Sequence, residues 1–143
     1  MASQMKWSTP TTAACAISTA MNSLADSANA SGAGISPSGY LYGDWEIYCG
    51  FTGSVKANGY VSLWLLPSID GTNYADGNGT VDPSVTPNAN FPLRAVSGSQ
   101  RILQTHIQLP SGSFVPLVTS ESGCAMAAVG NILRYSFFTI EQV

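Results

Sequence analysis

Alternation of apolar and polar residues is clearest after residue 40, where it predicts a series of short strands. In LYGDWEIYCGF, one face carries Leu41, Trp45, Ile47, Cys49 and Phe51 and the other face is wetter. This is the period of a strand with one buried face. The segment YVSLWLLPS, which begins at residue 60, is apolar on both faces and predicts a central, covered strand.

Four further segments carry strand signals: FPLRAV, RILQTHIQLP, SGSFVPLVTSE and ILRYSFFTI. In the second of these, alternation places Leu103, Thr105, Ile107 and Leu109 on one side, with His106 on the other. Pro116 predicts that the third segment is an edge strand. Short strands in series, with no alternation of strands and helices, predict a mainly β fold: an antiparallel β-sandwich or jelly roll.

The N-terminal region shows helical spacing instead. Apolar residues step by 4, 4, 3 and 4 positions along Ala13, Ile17, Met21, Leu24 and Ala28. Thr9 followed by Pro10 suits a helix start, so an amphipathic helix is the first interpretation. The many Ser, Thr and Asn residues leave an extended arm as the alternative. The sequence therefore divides into an N-terminal helix or arm, 1–35, and a β-sandwich domain, 36–143.

A long polar loop follows Pro67 and runs to about Asn90. Loops of this length in compact domains are usually functional or disordered. Asp70 and Asn73 are predicted to make side-chain-to-backbone turn bonds, with nearby glycines supplying unusual dihedral angles. Tyr74 is predicted either to pin the loop to the sandwich or to touch a neighbouring molecule.

Composition restricts the classes of partner. Charged residues make up 9% of the chain, and the formal net charge is −3, so the surface is polar but poorly charged. The absence of a basic run argues against nucleic-acid binding. The absence of about 18 consecutive apolar residues argues against a membrane span, and the N-terminus does not resemble a signal peptide. We therefore expect synthesis and folding in a cytoplasm, with Cys15, Cys49 and Cys124 as small buried apolar residues.

Catalytic and metal chemistry finds little support in the residues. His106 is the single histidine, and no nucleophile elbow accompanies it. Asp70, Asp76 and Asp82 recur at six-residue intervals, which raises the possibility of a calcium loop. The required Gly and Glu positions of an EF-hand are missing whether the count starts at Asp70 or at Asp76. Turn formation is the preferred interpretation, and no cofactor or metal is expected.

Three other groups of residues leave alternatives open. Asp44 and Glu46 share one face of a strand. They form either a catalytic carboxylate pair or, as the simpler interpretation, the solvent-exposed face of that strand. Arg94, Arg101 and Arg134 lie in or beside apolar strands, where each either pairs with a carboxylate or reaches across an interface. The aromatic residues either pack in the core or line a carbohydrate platform; they are Tyr40, Tyr42, Trp45, Tyr60 and Trp64.

Together, the segments YVSLWLLPSIDGTNYADG, FPLRAV, QRILQTHIQLPSGSFVPLV and GNILRYSFFTIE resemble a group of small virion structural proteins of tailed bacteriophages. The resemblance covers about residues 40–141, with LPSIDGTNYADG as its most specific part. The N-terminal region is only generically similar, and LPSGSF departs from the usual LPPxxF pattern. Proteins of this group are β-sandwiches or jelly rolls, and some are capsid cement or decoration proteins.

The resemblance implies a non-enzymatic virion protein that binds the major capsid protein and neighbouring copies of itself, as a dimer or trimer. A tail, adaptor or head-fibre component is the alternative, and a carbohydrate- or receptor-binding module is the alternative of another class. No nucleic acid, membrane or small-molecule substrate is expected. The candidate interaction residues are Trp7, Ile17, Met21, Leu24, Asp70, Asn73, Tyr74, Asp76, Arg94 and Arg101.

Overall fold

The computed structural model describes residues 3–143, which form ten strands and one short 3-10 helix, Thr19–Met21. The first two residues of the predicted arm lie outside the described residues. The strands are β1 Met5–Trp7, β2 Ala14–Ile17, β3 Asn29–Ser31, β4 Tyr42–Cys49, β5 Tyr60–Pro67, β6 Ala89–Pro92, β7 Gln100–Gln108, β8 Phe114–Glu121, β9 Ile132–Phe138 and β10 Ile140–Gln142.

The chain is organised as one long antiparallel hairpin that is rolled into two sheets. Strand β5 pairs with β6, β4 with β7, β3 with β8, β2 with β9 and β1 with β10. Additional pairing of β4 with β9 and of β5 with β8 produces two four-stranded sheets, ordered β2-β9-β4-β7 and β3-β8-β5-β6. This wound hairpin is the topology of a jelly roll. The predicted mainly β fold, an antiparallel β-sandwich or jelly roll, is therefore confirmed.

Strands β4 and β5 behave as their sequences predict, except that Leu41, which alternation placed on the buried face, precedes β4 and is 50% exposed. Burial alternates along the whole of β4, with Trp45, Ile47 and Cys49 in the core between the sheets. Strand β5 lies between β8 and β6 and is buried on both faces over most of its length. Its outer face is covered by the long loop, because the Trp64 indole N–H donates a 2.9 Å hydrogen bond to the Val85 carbonyl.

The predicted N-terminal helix is wrong. Residues 9–28 contain β2 and the 3-10 helix, and β3 follows directly. Serine, threonine and asparagine weaken a helix, while β2 and β3 gain partners in β9 and β8. Ile17, Met21 and Leu24 are buried in the sandwich core. The apolar spacing thus marks core positions, and residues 14–31 form an integral edge of both sheets.

Strand β7 corrects the predicted face assignment. Leu103 and Thr105 point outward, whereas Ile107 packs against the core. The phase changes because Thr105 and His106 together oppose the single residue Asp44, which is a β-bulge. His106 has a positive φ of 59°, and its backbone N–H donates to Asp44 Oδ1 at 3.0 Å. A bulge interrupts simple alternation, so the sequence period predicted the wrong side.

Pro116 does not mark an edge strand, since β8 lies between β3 and β5. Its carbonyl accepts a 2.9 Å hydrogen bond from the Gly32 N–H, one residue beyond the end of β3 at Ser31. The backbone nitrogen of Pro116 faces the same side, where pairing with β3 is ending. The missing N–H therefore falls just beyond the last paired residues of β3 and β8, Ser31 and Leu117, and not within their ladder.

Gly32 lies where the chain leaves β3 between the two sheets, and no side chain fits there. A Cβ atom at this position would lie 2.4 Å from the Ala16 carbonyl oxygen and 3.0 Å from Pro116 Cγ. We expect Gly32→Ala to lower the free energy of unfolding by about 1–3 kcal/mol through overpacking. Gly53→Ala is the matched control, because its added methyl meets nothing within 4 Å. Urea unfolding measures both, and equal stabilities would contradict the expectation.

Candidate interaction surfaces

The predicted interaction residues occupy five separate places. Ile17, Met21 and Leu24 are core residues, so the isolated chain does not present them to a partner. Trp7 lies on β1, at the terminal end of the wound hairpin, and Arg94 follows β6. Arg101 lies on the outer face of β7. The remaining four lie in the long loop between β5 and β6: Asp70, Asn73, Tyr74 and Asp76.

The first and last strands form a two-stranded ribbon, residues 4–8 and 139–143, hereafter the terminal ribbon. Gln4 and Val143 exchange backbone hydrogen bonds of 3.0 and 2.9 Å, and Ser8 N–H donates to the Thr139 carbonyl. Every residue of β1 and β10 is exposed. The paired strands therefore leave an open backbone edge on each side, with apolar Met5 and Val143 in solvent.

Trp7 anchors the terminal ribbon to the sandwich. Its ring meets His106, Phe138 and Tyr42 edge-on, with ring centroids 5.1, 5.4 and 6.0 Å away. Edge-to-face contacts of this kind favour a fixed ring orientation. Trp7 nevertheless keeps 53% of its surface exposed. One residue thus fixes the base of the ribbon and offers an apolar surface beside it.

The long loop is held by a carboxylate, as its Asp and Asn residues predict. The Asp70 carboxylate accepts hydrogen bonds from the Ser68 hydroxyl, the backbone of Thr72, and the backbone and side chain of Asn73. These bonds, led by those from Asn73, hold the pKa of Asp70 far below its ordinary value. Gly71, with φ of 74°, completes the turn.

Further contacts attach the long loop to the sandwich. The Tyr74 hydroxyl lies so close to Gly34 that a Cβ there would sit 2.6 Å from it, so Tyr74 pins the loop to the connection between β3 and β4. The Asn88 side chain accepts from the Leu65 N–H at 2.8 Å. Asn29 donates to Asp82 at 2.8 Å. The loop is therefore a preformed surface element.

The three loop aspartates do not converge on an ion site. Within residues 3–143, no group of three or more His, Cys, Asp or Glu side chains is placed to hold a metal ion. Asp70 bonds to its own turn, and Asp82 bonds to Asn29. Turn formation therefore accounts for the bonding of Asp70 and Asn73.

Two arginines share one carboxylate on the outer face of the first sheet. Arg101 donates to Glu46 Oε1 at 2.7 Å, and Arg134 contacts the same oxygen through Nε and Nη2. Arg101 also lies over the Tyr48 ring, 4.9 Å from its centroid. Partial burial opposes ionisation of Glu46, but the hydrogen bonds and charges of both arginines outweigh it and lower its pKa. Of the two alternatives for the arginines, Arg101 and Arg134 therefore show pairing with a carboxylate.

This shared carboxylate makes the stability of the protein depend on pH. The folded-state pKa of Glu46 lies below its ordinary value of 4.5, so the unfolded state binds the proton more readily. The stability that ionised Glu46 contributes is fully present above its ordinary pKa of 4.5. This stability is lost as the pH falls through the lower pKa of the folded state. We expect Glu46→Gln to reduce stability at neutral pH by up to about 1 kcal/mol and to flatten the acid side of the profile.

Urea unfolding between about pH 6 and pH 3 tests this expectation. Glu141→Gln is the control, because Glu141 forms an ion pair with Lys6 in the exposed terminal ribbon. The control should keep the acid slope of the wild type. A slope equally steep in Glu46→Gln and the wild type would refute the expectation.

Arg94 differs from the other two arginines. Among residues 3–143, no carboxylate lies within ion-pair distance of its side chain. Its backbone N–H donates to Gln100 Oε1, and its carbonyl accepts from Gln100 Nε2, at 2.8 and 2.9 Å. Buried Gln100 thus fixes the turn after β6, and the guanidinium of Arg94 remains exposed.

The cysteines and aromatic residues divide between the core and the surface. Burial raises the pKa of the Cys49 thiol to about 12, whereas Cys124 is partly buried and Cys15 is exposed. Expected burial is thus wrong for Cys15. Trp45 is buried, Trp64 is partly covered by the long loop, and Tyr60 is exposed on the second sheet. These aromatic residues therefore do not form one continuous platform.

Sequence reasoning missed Ile69, the most exposed large apolar residue among those described, at 106% of its reference area. It also missed Leu103 and Val129, which are 56% and 77% exposed. The sequence signal for the exposure of Ile69 was its position between Ser68 and Asp70. Both of these side chains form hydrogen bonds within the turn.

Fold and surface together define a class: a jelly-roll protein with a preformed acidic loop and an exposed terminal ribbon. No protein-family model matches the chain, and no curated protein matches it either. Among residues 3–143, no helix has the length and apolar character required to cross a lipid bilayer.

Proposed function

We propose that the protein is a structural component of a tailed-bacteriophage virion. In this role it acts as a capsid cement or decoration protein. It binds the major capsid protein and neighbouring copies of itself, as a dimer or trimer, and catalyses no reaction. After synthesis in the host cytoplasm it resides in the virion. The resemblance of LPSIDGTNYADG and the later segments to such proteins supports the proposal, because these segments form β5, the long loop and the strands that follow.

The terminal ribbon is the observation that carries the proposal. Its strands expose apolar side chains and two open backbone edges outside the sandwich core. An extended segment of a neighbouring chain can add to such an edge through main-chain hydrogen bonds. Shell-binding proteins need this combination of a rigid body and a projecting contact element.

Copy number in purified particles tests the proposal. Quantitative mass spectrometry would compare this protein with the major capsid protein in virions of the phage that encodes it. A copy number close to that of the shell protein is expected for cement. A few copies per particle would instead assign the same surfaces to a tail, adaptor or head-fibre component. Absence from the particles would overturn both assignments.

A further inference from the structure

Ile69 is an apolar side chain held in solvent by a rigid turn. It is fully exposed, while its neighbour Ser68 is buried and bonds both to Asp70 and to the Gly71 N–H. Fixing a loop before binding removes part of the ordering entropy that association otherwise costs. A prearranged apolar side chain within a polar surround is the arrangement of a binding hot spot.

The charge distribution indicates the kind of surface that the long loop contacts. Residues 68–88 contain three aspartates and no lysine, arginine or glutamate, so their net charge is −3. The rest of the chain has five acids and five bases, which cancel. The net formal charge of the protein therefore equals the net charge of this loop. Two copies facing each other through it would repel, whereas a basic surface would attract it.

We infer that the long loop docks on a basic surface of a different protein, with Ile69 inserted into an apolar pocket of that surface. Complementary charge orients the encounter, and the buried side chain supplies most of the binding energy. That the partner is the major capsid protein rests on the proposed function. The chemistry of the contact surface does not depend on that assignment.

Ile69→Ser is the central variant, because the side chain is fully exposed and its loss should leave the melting temperature unchanged. Val129→Ser is the matched control, since Val129 is also highly exposed but lies in the connection between β8 and β9. That connection follows Glu121 at one end of β8, whereas the turn that carries Ile69 bonds through the Ser68 N–H to the Ser113 carbonyl at the other end. Asp76→Asn tests the charge alone, because among residues 3–143 its carboxylate makes no hydrogen bond.

A random dodecapeptide library panned against the whole chain tests the surface without any virion. We expect selected peptides to combine Lys or Arg with aliphatic or aromatic residues. Their Kd should rise about thirtyfold or more for Ile69→Ser and stay unchanged for Val129→Ser. Asp76→Asn should weaken binding less and reduce its dependence on salt. Failure to select peptides, or binding insensitive to Ile69→Ser, would overturn the inference.

Binding to virions that lack the protein then tests the identity of the partner. Loss of attachment by Ile69→Ser, but not by Val129→Ser, is expected. If the wild type itself fails to attach, the proposed function is wrong, while the peptide result still decides the chemistry of the loop. If the wild type and Ile69→Ser attach equally, the loop is not the element that meets the shell.

Discussion

Removal of residues 1–31 is expected to abolish cooperative folding. The deletion takes away β2 and β3 and leaves β9 and β8 without an edge partner. It also removes buried Ile17, Met21 and Leu24 from the core. Loss of each of these side chains costs about 2–5 kcal/mol. The three losses together are comparable to the whole free energy of unfolding of a domain, about 5–15 kcal/mol. Strands β2 and β3 are thus part of the sandwich, although the sequence divided residues 1–35 from it as a helix or arm.

Removal of residues 1–8 is the control, because it takes away β1 and Trp7 but leaves β2 and β3 in place. This shorter chain should remain folded with a modest loss of stability, and it should lose attachment if the terminal ribbon binds a neighbour. Circular dichroism melting and gel filtration distinguish the two deletions. A cooperative transition near the wild-type temperature in the longer deletion would contradict the expectation.

Trp45→Ala is expected to lower the free energy of unfolding by about 3–5 kcal/mol. The ring is completely buried on β4 and packs against Tyr135, Phe137 and Phe114, with centroids 5.2, 6.2 and 6.2 Å away. Truncation would leave a large cavity between the two sheets, because the surrounding strands are fixed by pairing on both sides.

Trp45→Phe keeps an aromatic ring between the sheets while removing the indole N–H. Among residues 3–143, Trp45 Nε1 finds no hydrogen-bond partner, and an unpaired buried donor costs about 1–3 kcal/mol. Phenylalanine removes this penalty while keeping an aromatic ring, so its loss of stability should be clearly smaller than that of alanine. Urea unfolding of the three proteins provides the comparison. Equal losses would contradict this expectation, because both variants remove the N–H and only phenylalanine keeps an aromatic ring.

Local pattern predicts the central strands of this protein well and its edges poorly. Burial on β4 follows strict alternation, and β5 is apolar on both faces, so both signals lie within the strand itself. Strand β2 is only four residues long, and its partner in β9 lies more than a hundred residues away. No local period reports such pairing. The helical spacing of apolar residues in the same segment has another cause. The chain changes direction several times there and buries Ile17, Met21 and Leu24 in the core one after another.

The candidate surfaces were predicted to a similar, partial degree. The Asp70 turn follows from short-range side-chain chemistry, which a sequence displays directly. Exposure of Ile69 does not, because an apolar residue just after a strand is equally compatible with the core. The position of Leu103 depends on the bulge at His106, which arises only when β7 is aligned with β4. Long-range register thus decides which apolar residues reach the surface.

The wound hairpin also determines when this protein can fold during its synthesis. Strands β5 and β6 lie at the tip of the hairpin and are adjacent in the chain, so they can pair while translation continues. Each outer pair must wait for a strand made later, and β1 must wait for β10. Because long-range pairing is slow, the terminal ribbon is the last pair of the wound hairpin to close. The surface proposed to join neighbouring chains is thus absent until β10 has been made.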